Sequence, residues 1–186
     1  MLGPFIAEIL RERGLKAAQL DAVAVSEGPG SYTGLRVGVS TAKGICFGGG
    51  IPLIGVDTLE ILAWQAEEGF DSIVPMIDAR RMEVYCATFD GVRRRQGPTE
   101  ALVLDRGSFS GPLDRGRVLF IGDGVAKFEA VCRHPNASFK TCSPIAEAML
   151  QPALSALRKK EFEDTAYFEP FYLKEFVAGI SKKSVL

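Results

Sequence analysis

Apolar positions along the chain change their spacing several times, and each change marks an element. From Pro4 to Arg13 they recur at helical spacing, with Phe5, Ile6, Ile9 and Leu10 on one stripe, proline in the first turn and Gly14 placed to end it. A continuous apolar run, Ala22 to Val25, then reads as a buried strand that stops at the turn signal Gly28-Pro29-Gly30. Helical spacing returns from Thr33 to Phe47 and ends at Gly48-Gly49-Gly50, after which Ile51 to Val56 forms a second strand. Asp57 is placed to cap a third helix, with Glu60 three residues on to complete a capping box. Leu59, Leu62, Ala63 and Ala66 form its core face. Helix, strand, helix, strand, helix predicts an α/β lobe with parallel pairing.

Beyond residue 70 the spacing differs. Ile73 to Ile77 and Met82 to Phe89 read as neighbouring strands joined by the polar turn Asp78-Ala79-Arg80-Arg81, and Asp90-Gly91 is a hairpin turn. Pro75 inside the first of these predicts an edge or a bulge. Arg117 to Ile121 is a further strand, Gly122-Asp123-Gly124 a turn and Val125 to Arg133 a helix. Ser143-Pro144 is expected to open a last helix that reaches about Lys160 with a kink at Pro152. Tyr167 to Phe176 reads as an extended tail packed on the body. The break between lobes is expected near Gly69 to Ser72, giving a first lobe over residues 1–70 and a second, with the tail, over 71–186.

Composition narrows the classes. A chain of 186 residues with 47% apolar content is long enough to bury a core. Its apolar runs are too short for a membrane span, and MLGPFIAEIL has no basic start of the signal-peptide kind, so a cytoplasmic protein without a membrane partner is expected. A net charge of −1 gives no field to attract RNA. The short basic clusters Arg93-Arg94-Arg95 and Arg158-Lys159-Lys160 lack interleaved aromatics and read as solvated loop and helix-end charge. Cys46, Cys86, Cys132 and Cys142 form no CxxC pair, and His134 has no second histidine, which excludes the usual zinc patterns. Cys46, Cys86 and Cys132 lie among apolar neighbours and are expected to be buried thiols.

The segment GPGSYTGLRVG, Gly28 to Gly38, carries the candidate chemistry. A glycine-rich turn opening a helix presents backbone N–H groups to an anion, so Gly28, Gly30, Ser31 and Thr33 are candidate anion or nucleotide positions. The nucleotide motifs fail in detail, since no GxxxxGK[ST] can be written and Thr33 stands where GxGxxG needs its third glycine. A tight turn explains the glycines equally. Further along, Gly34, Gly38 and Ala42 make a small-residue ridge, with Thr41 and Ile45 beside it, that suits close packing against either the sheet or a partner. Arg36, Ser40 and Lys43 form a polar stripe on another side, for solvent, partner or anion.

The run AVAVSEGPGSYTGLRVGVSTAKGICFGGGIPLIGVDTLEILA (Ala22 to Ala63) resembles the TsaB (YeaZ) family, and the likeness continues in DARRMEVYCATF (Asp78 to Phe89) and EPFYLKEFVA (Glu169 to Ala178). The resemblance implies a two-lobed fold of the actin-like, ribonuclease-H-like kind. It implies a non-catalytic dimerisation subunit that pairs with TsaD, the enzyme placing the threonylcarbamoyl group on the adenosine beside the anticodon of tRNA. TsaE is the further partner, tRNA is met only through the complex, and the family forms a homodimer when its partners are absent. No intrinsic cofactor is implied, with ATP or ADP confined to the partner interface. The ridge and the first-helix stripe then become the partner-facing candidates: Phe5, Ile9, Leu10, Gly34, Arg36, Gly38, Thr41, Ala42 and Ile45. On this reading Gly38→Leu weakens pairing and spares the fold. The resemblance also implies roughly 40 preceding residues that supply a strand hairpin and a third strand of the first lobe, without which that lobe shows an open sheet edge.

Two enzymatic readings compete. A peptidase needs a nucleophile and a base, and with one histidine Ser26, Ser31 and Tyr32 read as turn residues. A kinase or ATPase on the actin-like fold needs acidic positions on the first strand hairpin, which this chain lacks.

Overall fold

The computed structural model describes residues 2–173. Its first helix, α1 (Leu2–Glu12), is followed by Gly14 at φ 64°. The predicted stripe is present but looks outward: no residue of α1 is buried, and Phe5 and Ile9 are 63% and 57% exposed.

Strands β1 (Val23–Gly28) and β2 (Leu53–Asp57) pair in parallel, Val23 opposite Leu53 and Ser26 opposite Val56. The crossover between them is α2 (Tyr32–Gly49), capped by the Ser31 hydroxyl, which accepts the Gly34 N–H, and closed by Gly50 at φ 64°, whose N–H reaches the Cys46 carbonyl. Leu35, Val39, Ala42 and Cys46 recur every three or four residues and are the face α2 buries against this sheet. Ala42, Cys46 and Leu53 form the local core with Val23, Val25, Ile51 and Phe168 around them.

Asp57 caps α3 (Thr58–Ala63) as expected, its Oδ1 accepting the N–H groups of Leu59 (2.6 Å) and Glu60 (3.2 Å). Glu60 does not complete the box. Its Oε1 turns to Trp64, accepting from Nε1 at 3.5 Å. Leu59, Leu62, Ala63 and Ala66 are buried as expected, against Ile73, Leu119 and Ile121 of the second sheet.

That sheet contains β3 (Ser72–Asp78), β4 (Glu83–Cys86), β5 (Phe89–Asp90), β6 (Glu100–Val103), β7 (Val118–Ile121) and β8 (Ala137–Lys140). The order is β6-β4-β3-β7-β8, with β5 extending the β4 side of β3. Pro75 is a correction: it stands in the central strand, opposite Ile121 of β7. The ladder tolerates it because it is interrupted there, β4 pairing with β3 from Met76 onward and β5 only at Ser72 and Ile73. Alternate β3 residues face opposite layers. Val74 and Met76 pack with Phe120, Phe128, Val125 and Leu113 under α4 (Ser110–Arg115) and α5 (Val125–Val131), while Ile73 and Ile77 face α3.

The last helix also departs from expectation. Ser143-Pro144 lies outside any helix, a 3-10 turn covers Ala146–Met149, and α6 runs Leu150–Lys159. Pro152 falls in the first turn of α6, where its missing N–H costs no helical bond, so it starts the helix instead of kinking it. Ala153, Ala156 and Leu157 of α6 cover Ile54 and Val56 of β2. The tail begins in a turn at Tyr167, takes no regular element from Phe168 to Tyr172, and packs on the body through Phe168, Phe171 and Tyr172. The remainder of the expected tail, residues 174–176, and of the matching run to Ala178 lie outside the described residues. Among the described residues no helix is long and apolar enough to cross a membrane.

Candidate functional site

Two places gather the sequence candidates. The first is the outer face of α1 and α2. Phe5, Ile9 and, half-buried, Leu10 stand on α1; Gly34 and Arg36 are exposed on α2, with Thr41 and Ile45 half-buried. Thr41 Oγ1 donates to the Val37 carbonyl at 2.7 Å, and Arg36 stays within its helix, donating to the Tyr32 hydroxyl at 3.2 Å and lying over that ring. Gly38 and Ala42 fall elsewhere. Ala42 is buried in the core, and a Cβ on Gly38 would stand 3.8 Å from Val25 of β1, so this part of the ridge serves internal packing.

The outward side of α2 consists instead of Val37 (51% exposed), Gly44, Gly48 and Phe47 (88% exposed). A Cβ on Gly44 or Gly48 would meet open space. Sequence reasoning missed these four, although Val37, Gly44 and Gly48 share the helical spacing of Gly34 and Thr41.

The second place is a cleft of about 580 Å³ between the two sheets. Gly30, Ser31 and Thr33 line one wall, Asp78, Arg80, Tyr85 and Asp123 the other, and Phe171, Tyr172 and Leu173 close a third side. Its two carboxylates are engaged. Asp78 Oδ1 accepts from Lys127 Nζ at 2.7 Å, a bond that holds the Asp78 carboxyl below its ordinary range, and Asp123 Oδ1 accepts the Asp78 N–H at 2.9 Å. Ser31 Oγ is spent on the α2 cap. Gly28 lies behind this wall at φ 118°, and a Cβ there would stand 2.6 Å from the Phe171 carbonyl oxygen and 3.2 Å from Leu35 Cδ1. Its bareness serves the close approach of the tail.

Other candidate groups are also bound up in the structure. Ser26 Oγ lies 2.6 Å from Thr58 Oγ1. His134 Nδ1 accepts the Asn136 N–H at 3.2 Å, and its Nε2 is 3.7 Å from Asp114. Among the described residues no cluster of His, Cys, Asp or Glu is arranged to hold a metal.

The cluster Arg93-Arg94-Arg95 is not simply solvated charge. Arg93 lies over the Trp64 ring and donates to the Ala66 carbonyl at 2.8 Å, while Arg95 pairs with Asp57 at 2.6 Å and covers Phe89. Arg94, between them, is exposed. Burial raises the Asp57 carboxyl, and Arg95 with the two helix N–H groups opposes that rise. Arg158-Lys159-Lys160 does form exposed charge at the end of α6.

Comparison with known proteins places this geometry. The family model described as TsaD, tRNA N6-adenosine threonylcarbamoyltransferase, matches residues 1–182. The tRNA threonylcarbamoyladenosine biosynthesis protein TsaB of Haemophilus influenzae is 45% identical over 84 residues, covering 44% of this chain and 36% of that protein. The Escherichia coli protein of the same name is 39% identical over 88 residues, covering 46% and 38%. The matched segments thus span little more than a third of either curated relative. Among solved structures, YeaZ from Pseudomonas aeruginosa superposes with a TM-score of 0.79 at 30% identity, over 91% of this chain and 81% of that one. These likenesses give the two sheets their frame, the actin-like, ribonuclease-H-like fold, and the chain belongs to the TsaD family, within its TsaB (YeaZ) branch.

Proposed function

We propose that the chain is a non-catalytic partner subunit of the machinery that makes threonylcarbamoyladenosine beside the anticodon of tRNA. It pairs with TsaD through the outer face of α1 and α2 on the first lobe, residues 1–70, while the second lobe, 71–186, supports that face from behind. The observation that carries this reading is the exposed apolar surface of Phe5, Ile9, Val37 and Phe47 beside the open glycines Gly44 and Gly48. Apolar surface of this kind, rimmed by the charges of Arg11, Glu12 and Arg36, fits a protein partner. Smooth glycines let a second helix approach closely. The reading is further supported by the engagements of Ser26, Ser31 and His134, which bring no base to a hydroxyl.

TsaE joins the pair, tRNA is met through the complex, and ATP or ADP sits at the shared interface and not in a site of this chain alone. Without its partners the same face makes a homodimer in the cytoplasm. The test is co-elution with TsaD and restoration of the modified adenosine in tRNA from cells lacking the native subunit. The unaltered chain is expected to do both, and Phe47→Asp to lose both while keeping its circular dichroism. Intact co-elution of Phe47→Asp would remove α2 from the interface.

A further inference from the structure

The last described stretch, residues 163–173, crosses the first sheet as a strap. The Glu163 N–H donates to the Leu53 carbonyl at 2.9 Å, Lys43 of α2 donates to the carbonyls of Ala166 (3.2 Å) and Phe168 (2.8 Å), and the Phe171 N–H donates to the Glu27 carbonyl at 2.7 Å. Phe168 enters the core between α2 and β1, and Tyr172 lies 5.0 Å from Tyr32 at the start of α2. The polar stripe of α2 is thus partly the strap's seat. Beyond it, Phe171, Tyr172 and Leu173 form a wall of the interlobe cleft.

Under the strap two carboxylates converge on one point. Gly55 of β2 has no side chain, and the place where its Cβ would stand is taken by Glu27 Oε2, with Glu163 Oε1 3.2 Å and the Phe168 ring edge 3.0 Å from the same point. Glu27 comes from β1 and Glu163 from the strap, so the crowding lies across the strap's contact with the sheet. The charged groups facing Glu27 are Asp57 at the end of β2, Glu163 on the strap, Glu60 on α3 and Arg95 after β5. Three of the four are acidic, and Arg95 is already paired with Asp57.

We propose that residues 163–173 are a proton-gated strap: with Glu27 protonated it seats across β1 and α2 and closes one wall of the cleft, and with Glu27 ionised against Glu163 and Asp57 it lifts. Burial first, then Asp57, Glu163 and Glu60, push the Glu27 carboxyl up to about 7, against the lowering effect of Arg95. The sign follows. A carboxyl whose value is raised in the seated state binds its proton there more tightly than in the open state. Seating is therefore strongest below the ordinary value of 4.5, weakens as pH climbs, and loses its last dependence above about 7. This inference concerns the chain alone and does not depend on the proposed pairing with TsaD.

Hydrogen–deuterium exchange of the full chain, read on peptides covering residues 161–173 and corrected for intrinsic exchange, tests it. Between about pH 6 and pH 8 the strap's exchange is expected to rise by up to about tenfold, the limit if the whole displacement of Glu27 belongs to the seated state. Peptides over β7 should not follow. Glu27→Gln should stay protected at both ends of the range. A flat profile in the unaltered chain, or an unchanged rise in Glu27→Gln, overturns the proposal. Should Glu27→Gln fail to fold, Glu163→Gln decides, because it removes the strap's own charge. It is expected to make the rise smaller without abolishing it, since burial and Asp57 remain, and an undiminished rise overturns the proposal equally.

Discussion

Gly28→Ala is the substitution that best separates a phosphate cradle from a strap seat. At φ 118° any residue with a Cβ is strained, by about 1–3 kcal/mol. The added atom would also stand 2.6 Å from the Phe171 carbonyl oxygen, well inside contact distance, so the strap must move. That movement loosens the Phe171 N–H to Glu27 bond, a further ~0.5–1.5 kcal/mol. Together the loss is about 2–4 kcal/mol, which a domain of ordinary stability survives. With a urea slope of roughly 2 kcal/mol per molar, the unfolding midpoint should fall by about 1–2 M. Gly30→Ala is the control. A Cβ there meets only Leu35 side-chain atoms at 3.9–4.0 Å, and its φ is not positive, so its midpoint should change by less than about 0.5 M. Equal midpoints for the two variants would refute the reasoning, since the distinction rests wholly on the geometry at Gly28.

Two further outcomes follow from the packing. Arg95→Ala removes the partner of a mostly buried carboxylate and the cover of Phe89, and should cost about 1–2 kcal/mol in urea unfolding against less than ~0.5 for Arg94→Ala; equal costs would show that the Asp57 pair contributes nothing. Iodoacetamide on the native protein should label the half-buried Cys142 first and spare Cys46, Cys86 and Cys132, the Cys86 thiol being pushed up to about 12 by burial and by Glu100. Mass spectrometry after timed quenching reads the order, and early labelling of Cys86 would contradict its burial.

Residues 22–66 were the most legible part of the fold, because each element there carries its own local signal: a glycine stop for α2, an aspartate cap for α3, and apolar residues at helical spacing between them. Parallel pairing of β1 and β2 followed from the helix between them. The second half was harder to read. Strands β6 and β8 carry Glu100, Ser138 and Lys140 at the rims of the sheet, where only part of each strand is covered and the alternation is weak. Pro75 misled because the rule against proline in a central strand assumes a continuous ladder, and the gap between β4 and β5 is a tertiary fact. The arginine triplet misled for a related reason. Its partners, Trp64, Ala66 and Asp57, are distant in sequence and become neighbours only when the hairpin folds over α3.

The candidate site shows how a correct pattern can be assigned to the wrong face. On a helix of 3.6 residues per turn, each step rotates about 100°. Leu35, Val39, Ala42 and Cys46 then cluster within about 60° of one another, and this is the face laid on the sheet. Gly38 sits on the flank of that cluster and Ala42 within it, so a ridge drawn through Gly34, Gly38 and Ala42 winds from the outside of the helix to its core. Arg36, Ser40 and Lys43 take the opposite flank, where the strap lies against Lys43. What remains, centred roughly opposite the buried cluster, is Val37, Thr41, Gly44 and Gly48, with Gly34 and Phe47 beside them. The large residues, read first, fix the inward direction. The small ones read on their own do not, because glycine serves close packing on either side. The proposed partner surface is therefore the same helix that the sequence pointed to, turned by about a quarter of a revolution toward Gly44.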